Sequence, residues 1–221
     1  CYDMTGGAER QYYLDEARTL SINILYNYYY YNVDRNDENN HSVVTLLTQE
    51  SADGNKHYLF TGDLEEDGES RMVDHYSVES NSRSEYDILP EVELYKAGHH
   101  GSKTSSTEKL LSVIKPKYVA VCCCAGSPEY TKTDVNTFPT QTMIDNVSKY
   151  TDQIYVTSLA TDLPEINNGT FASQSGYGYT SMNGNIVFYS KGGVLKLYCS
   201  NNYTLLKDTD WFKEHRTWNA D

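Results

Sequence analysis

The sequence has no run of eighteen apolar residues, so no helix that crosses a bilayer is expected in it. It opens on Cys1 rather than Met, with neither a basic nor an apolar leader stretch behind it. No signal peptide is read, the compartment stays open, and the chain is expected to be a piece of a longer protein. Positive charge is scarce: 18 Lys and Arg against 31 Asp and Glu leave a formal net charge of −13. A domain built mainly to grip a phosphate backbone carries the opposite sign, so nucleic acid is disfavoured as a general surface partner. Paired cysteine spacings are also missing. Of the five cysteines, Cys122, Cys123 and Cys124 are consecutive. Strand neighbours point to opposite faces, which suits packing thiols rather than a disulfide framework or a zinc cluster. No internal repeat and no domain boundary is visible. The 221 residues, 38% hydrophobic and 22% charged, are read as one domain able to bury a sizeable core.

What is present alternates. Thr19 to Leu25 has the period of a strand with one buried face, and the Tyr26 to Tyr31 run is read as its end passing into a loop. His41 to Leu47 and His57 to Thr61 are read as a hairpin turning at Asp53-Gly54-Asn55. A short helix is expected over Glu69 to Tyr76, a strand over Val92 to Lys96, and a helix over Thr107 to Ile114 with Ser105 or Ser106 as its cap. Tyr118 to Cys124 reads as a buried strand, Thr140 to Tyr150 as a helix, and Ile154 to Thr157 as a strand. A Gly/Ser/Asn-rich insertion follows at 163–184, as a lid or an edge decoration. A hairpin over 185–199 and a polar tail after about 200, anchored by Trp211 and Trp218, complete the chain. Strand, helix, strand, helix, strand makes this an α/β protein with helices on a mixed sheet.

Two strand ends stand out. One runs Tyr58-Leu59-Phe60-Thr61 into Gly62-Asp63, the other Leu94-Tyr95-Lys96-Ala97 into Gly98-His99-His100-Gly101. A carboxylate at a strand end can reach a crevice and bridge metal ions. The bland alternative is an acidic turn continuing through Leu64-Glu65-Glu66-Asp67. Imidazole is the commonest transition-metal ligand near neutral pH. Adjacent histidines point in different directions, so one binds an ion while the other meets an oxyanion or donates a proton. Gly98 and Gly101 allow close backbone approach. Lys103, Thr104 and Ser105 bring donors to a helix N-terminus, a setting that suits an anion.

Together with Asn39-Asn40-His41-Ser42-Val43-Val44 and Lys115-Pro116-Lys117-Tyr118-Val119, these stretches resemble the second half of a metallo-β-lactamase-fold hydrolase, in the branch of the ComEC-type competence proteins. The resemblance covers residues 19 to about 160. It implies an αβ/βα sandwich, incomplete at its N-terminal side, and a hydrolytic site with one or two ions, usually zinc and sometimes manganese. It further implies that Asp63 bridges the metals and that one histidine of the pair is a ligand. Either can be; the assignment adopted is His100 on the metal, with His99 and Asp63 in the catalytic roles. Lys103, Thr104 and Ser105 would face the substrate anion.

Two departures matter. The family's H-x-H-x-D-H cluster does not occur among the six histidines (His41, His57, His75, His99, His100 and His215) and is expected upstream. Phe138-Pro139 stands where the branch often has His-Pro. The expected activity is hydrolysis of a phosphoester or another small hydrolysable substrate by metal-activated water. With two protein ligands, this chain alone is expected to be inactive or nearly so. The alternative is a non-catalytic remnant that works as a binding or surface-interaction domain. Oligomeric state is not legible.

Overall fold

Val119, Val121, Ile154 and Val156 are fully buried, and the strands that carry them form the middle of the molecule. In a computed structural model describing residues 10–33, 37–77 and 89–219, these are β6 (Tyr118–Ala125) and β7 (Ile154–Thr161). They lie in an eight-stranded mixed sheet with β1 (Gln11–Tyr13), β2 (Leu20–Ile24), β3 (Thr45–Gln49), β4 (Lys56–Phe60), β5 (Leu94–Lys96) and β10 (Gly178–Ser181). The order is β1-β2-β3-β4-β5-β6-β7-β10. Pairing is antiparallel from β1 to β4, parallel from β4 through β7, and antiparallel again onto β10. The parallel strands need crossovers, and each carries a helix. These are α1 (Glu66–His75) between β4 and β5, α2 (Glu108–Ile114) between β5 and β6, and α3 (Gln141–Ser148) between β6 and β7.

The two faces of the sheet are covered differently. Leu46, Leu59, Tyr95, Val119, Val121, Ile154 and Val156 share one apolar core with Met72 and Val73 of α1 (Glu66–His75). Leu110, Leu111 and Ile114 of α2, Met143, Ile144 and Val147 of α3, and Trp211 and Phe212 of α4 (Asp210–His215) complete that core. Each such side chain contributes roughly 1.5–3 kcal/mol by leaving water. On the other face Tyr58, Leu94 and Ala120 meet Ile186, Phe188 and Leu195. Those belong to a separate hairpin of β11 (Ile186–Lys191) and β12 (Val194–Cys199). Among the described residues no helix is long and apolar enough to cross a membrane.

The mixed α/β architecture and the β3–β4 hairpin stand as expected, with several local corrections. His41 lies in a 3-10 turn (Asn39–His41), and its strand starts at Thr45. The tyrosine run is not a strand end: Tyr28–Tyr30 is a 3-10 turn with Tyr29 buried, capped by the Asn27 side chain. α1 starts three residues before Glu69. The cap of α2 is Thr107, whose hydroxyl accepts the Leu110 N–H, and neither Ser105 nor Ser106. The cysteine stretch is not uniformly buried. A register shift falls between Val121 and Cys124, where Cys122 is exposed and Cys123 and Cys124 are half-buried. The 163–184 segment is built into the sheet, because β10 pairs along β7 over Gly178–Ser181. It also holds the small β8 (Ile166–Asn167) and β9 (Thr170–Phe171) hairpin. The tail folds back as α4. Of the stretch from Leu64 to Tyr86 read as acidic and polar, residues 78–86 lie outside the described residues.

α1 and α2 meet through a buried carboxylate. Glu69 is fully enclosed and accepts hydrogen bonds from Ser106 N (2.8 Å), Thr107 N (2.8 Å) and Thr107 Oγ1 (2.7 Å). Burial pushes its carboxyl up to about 7, against these hydrogen bonds, which favour the ionised form. A carboxyl at about 7 in the fold, against 4.5 ordinarily, binds a proton more tightly folded than unfolded between those values. Its contribution to stability is therefore greatest below pH 4.5 and falls as pH rises to 7, by about 3 kcal/mol. Urea unfolding from pH 4 to 8 should show the wild type losing about that much relative to Glu69→Gln. Parallel pH profiles for the two would contradict it.

Candidate functional site

β4 and β5 run parallel with Phe60 beside Lys96, so the loops leaving their C-terminal ends emerge side by side. In parallel sheets this edge is the usual place for a ligand. The two loops are tied directly: His99 N donates to Gly62 O (3.0 Å) and Ala97 N to Ala120 O on β6 (2.9 Å). The turn at Gly62 is left-handed (φ +62), and a Cβ there would lie 3.0 Å from the Ser42 Cβ. Ser42 Oγ receives the Asp63 N–H (3.0 Å). Asn40 Oδ1, nearly inaccessible, receives the N–H groups of Glu65 (3.2 Å) and Gly68 (3.3 Å) at the start of α1. The Asn40 to Ser42 segment thus fixes the Asp63 loop and caps the helix after it.

His99 (φ 42, ψ 48) and His100 (φ 56, ψ 19) are both left-handed, a conformation costing roughly 1–2 kcal/mol per non-glycine residue. The strain fans the two rings apart. His100 Nδ1 lies 2.7 Å from the Cys122 carbonyl oxygen. A carbonyl only accepts, so Nδ1 carries the hydrogen, and in the neutral ring Nε2 presents its lone pair. That Nε2 is 3.8 Å from Asp63 Oδ1, with side-chain exposures of 41% for His100 and 38% for Asp63. His99 Nδ1 lies 3.1 Å from Glu65 Oε1 and 3.4 Å from Thr104 Oγ1. Two histidine–carboxylate pairs therefore sit at adjacent strand ends, open to solvent.

An imidazole lone pair and a carboxylate oxygen facing each other at 3.8 Å are both acceptors. A proton or a cation between them removes the conflict. Two donors each about 2.0–2.2 Å from a tetrahedral zinc ion stand roughly 3.3–3.6 Å apart, so Asp63 and His100 would close by a few tenths of an ångström to share one ion. Among the described residues, no group of three or more His, Cys, Asp or Glu side chains is placed to hold a metal.

The other sequence candidates divide. Lys103 Nζ reaches Asn136 Oδ1 (3.3 Å) and Thr104 flanks His99, so both stay at the site's edge. Ser105 is buried and its hydroxyl donates to Gly98 O (2.8 Å), so it holds the histidine turn. The helix N-terminus expected to take a substrate anion already has one, the Glu69 carboxylate. Phe138, where the resemblance leads one to expect a histidine, lies over the pair. Its ring is 6.5 Å from His100 at 19° and 5.9 Å from His99, and Tyr130 stacks on it at 5.9 Å. Sequence reasoning passed over Glu65 as part of an acidic turn; its position two residues after Asp63 was the available signal. It also missed Glu69 and Tyr95, which no local pattern marks.

No protein-family model matches the chain, and no solved structure matches it. It is 27% identical over 130 residues, 59% of its length, to Recombination protein 2 of Haemophilus influenzae, and spans 14% of that protein.

The packing behind the histidines gives a test. A Cβ at Gly101 (φ +86) would lie 2.8 Å from the Pro139 Cβ, whereas one at Gly54 (φ +101) meets nothing within 4 Å. Both alanine variants bear a positive-φ cost, and Gly101→Ala adds a clash. Chemical denaturation should show Gly101→Ala less stable than Gly54→Ala by about 1–3 kcal/mol. Equal losses would mean that Pro139 does not hold the turn.

Proposed function

We propose that the chain is part of a metal-dependent hydrolase that cleaves a phosphoester, with Asp63 and His100 as metal ligands and His99 beside the substrate. The observation that carries this reading is the facing of His100 Nε2 and Asp63 Oδ1, fixed by the Cys122 carbonyl behind the ring. Zinc or manganese bound there supplies a Lewis acid and a more acidic water. The chain's own groups then have definite tasks. Asp63 and His100 hold the ion. The Cys122 carbonyl keeps His100 in the tautomer that can ligate, the arrangement usual behind metal-bound histidines. His99, its Nδ1 taken by Glu65, has Nε2 left to meet a phosphoryl oxygen or exchange a proton with it. Lys103 supplies positive charge at the edge of an otherwise acidic molecule, and Phe138 shields one side of the pair from water.

In this reading the eight-stranded sheet and its helical layer are one αβ half of an αβ/βα sandwich. The likeness to Recombination protein 2, whose name speaks of recombination, leans toward a nucleic-acid phosphodiester. The net charge of −13 requires that local cations, a metal among them, offset the general repulsion.

The test is hydrolysis of bis(p-nitrophenyl) phosphate with added zinc or manganese, by the natural protein that contains this chain. Loss of a ligand should cost at least as much as loss of the groups behind one, about 10–100-fold. Asp63→Asn and His100→Ala should therefore each lower turnover by that factor or more, while Cys199→Ser leaves it unchanged. Turnover insensitive to both site variants, or absent from the wild type, would favour a binding domain without catalysis.

A further inference from the structure

Behind the histidine turn lies a second polar centre that ligand binding does not use. The Tyr95 hydroxyl, fully buried, accepts the Gly98 N–H (3.0 Å) and lies 3.1 Å from Ser106 Oγ and 3.5 Å from Thr61 Oγ1. Thr61 leads into Gly62-Asp63, and Gly98 opens the histidine turn. One hydroxyl thus touches both strand ends that carry the site. Its proton has Ser106 Oγ and Thr61 Oγ1 as takers, and the phenol also hydrogen-bonds toward the Glu69 carboxylate. Ser106, left-handed (φ 56) and fully buried, gives its own N–H to Glu69. Space is tight: a Cβ at Gly98 would lie 3.0 Å from Thr61 Oγ1 and 3.1 Å from the Tyr95 hydroxyl.

We propose that Glu69 is a positioning residue for the histidine turn, acting through Ser106 and Tyr95, and that its gain or loss of a proton shifts that turn. The proposal rests on the histidine turn being the working part of the site, and not on which reaction it serves. The bookkeeping of hydrogens explains how it works. As a carboxylate, Glu69 offers acceptors to three donors, Oε1 to Ser106 N and Oε2 to Thr107 N and Thr107 Oγ1. A proton on either oxygen adds a donor and leaves that oxygen a weaker acceptor, so the bond it receives, from Ser106 N or from the Thr107 groups, weakens or moves. Ser106 is the member linked to Tyr95, and Tyr95 is linked to Gly98.

Burial places the Glu69 carboxyl's transition at about 7 rather than in the acid range. Tyr95 is the titratable group that acts on it, and burial pushes that phenol upward, so it stays protonated throughout. The charged groups along the packed elements engage one another at the surface. On α1, Asp67 pairs with Arg71 (2.8 Å) and with the Tyr29 hydroxyl. Between the helices, Asp74 pairs with Lys109 (2.6 Å). On α2, Glu108 pairs with Lys149 (2.7 Å).

Amide NMR of the whole chain between pH 5.5 and 8.5, without metal or substrate, tests the proposal independently of any activity. The background is His99→Asn with His100→Asn, which removes the rings' own titration. The Gly98 amide should move through a step centred near 7, and adding Glu69→Gln should abolish it. Tyr95→Phe separates positioning from mere stability. It should keep the step at the Ser106 and Thr107 amides and lose it at Gly98. A Gly98 step that survives either substitution, or no step in the background lacking His99 and His100, overturns the proposal. The hydrolase reading stands or falls separately, on the phosphodiester assay.

Discussion

The site depends on one constraint, the parallel pairing of β4 with β5. With Phe60 opposite Lys96, Asp63 and His100, three and four places beyond their strand ends, arrive together, and the His99 N–H closes onto the Gly62 carbonyl. Everything chemical follows from that proximity. A shift of one residue in this register would turn Leu59 or Tyr95, whichever strand moved, out of the helical core, since neighbouring strand residues face opposite sides. The hydrophobic pattern that makes the sheet therefore also brings Asp63 to His100.

The histidine turn is held in an unfavourable backbone state by what surrounds it. Two consecutive left-handed histidines persist because Gly98 and Gly101 sit where a side chain would strike Thr61 and Pro139, and because Ser105 and Tyr95 bond the turn from behind. The cost is borne by an apolar core shared among four helices and the sheet. Strain of this kind fixes side-chain direction. One ring points its Nε2 toward Asp63 while the other leans on Glu65.

Much of this was legible in the sequence, and the limits have physical causes. Strand positions, the crossover helices, and the candidacy of Asp63, His99 and His100 came from apolar periodicity and from glycines flanking chemically capable residues. Those signals are local. Thr107 as the cap of α2 was missed because Ser105, Ser106 and Thr107 are all competent caps; Ser105 is bonded instead to Gly98 O, and Ser106 is left-handed. The role of Glu69 was invisible because its partners Ser106 and Thr107 are far along the chain. An acidic residue in an acidic stretch carries no mark of burial. The 163–184 segment looked like a loop because its Gly and Ser content hides a short edge strand whose partner is β7.

The most direct test is where a divalent cation goes. In amide and side-chain NMR of the chain, sub-stoichiometric Mn2+ should broaden the resonances of Asp63 and His100 before those of other acidic surfaces. Asp63→Asn should remove that preference. Broadening that starts instead at the acidic cleft of Asp37, Glu66 and Asp67, or that is indifferent to Asp63→Asn, would contradict the account.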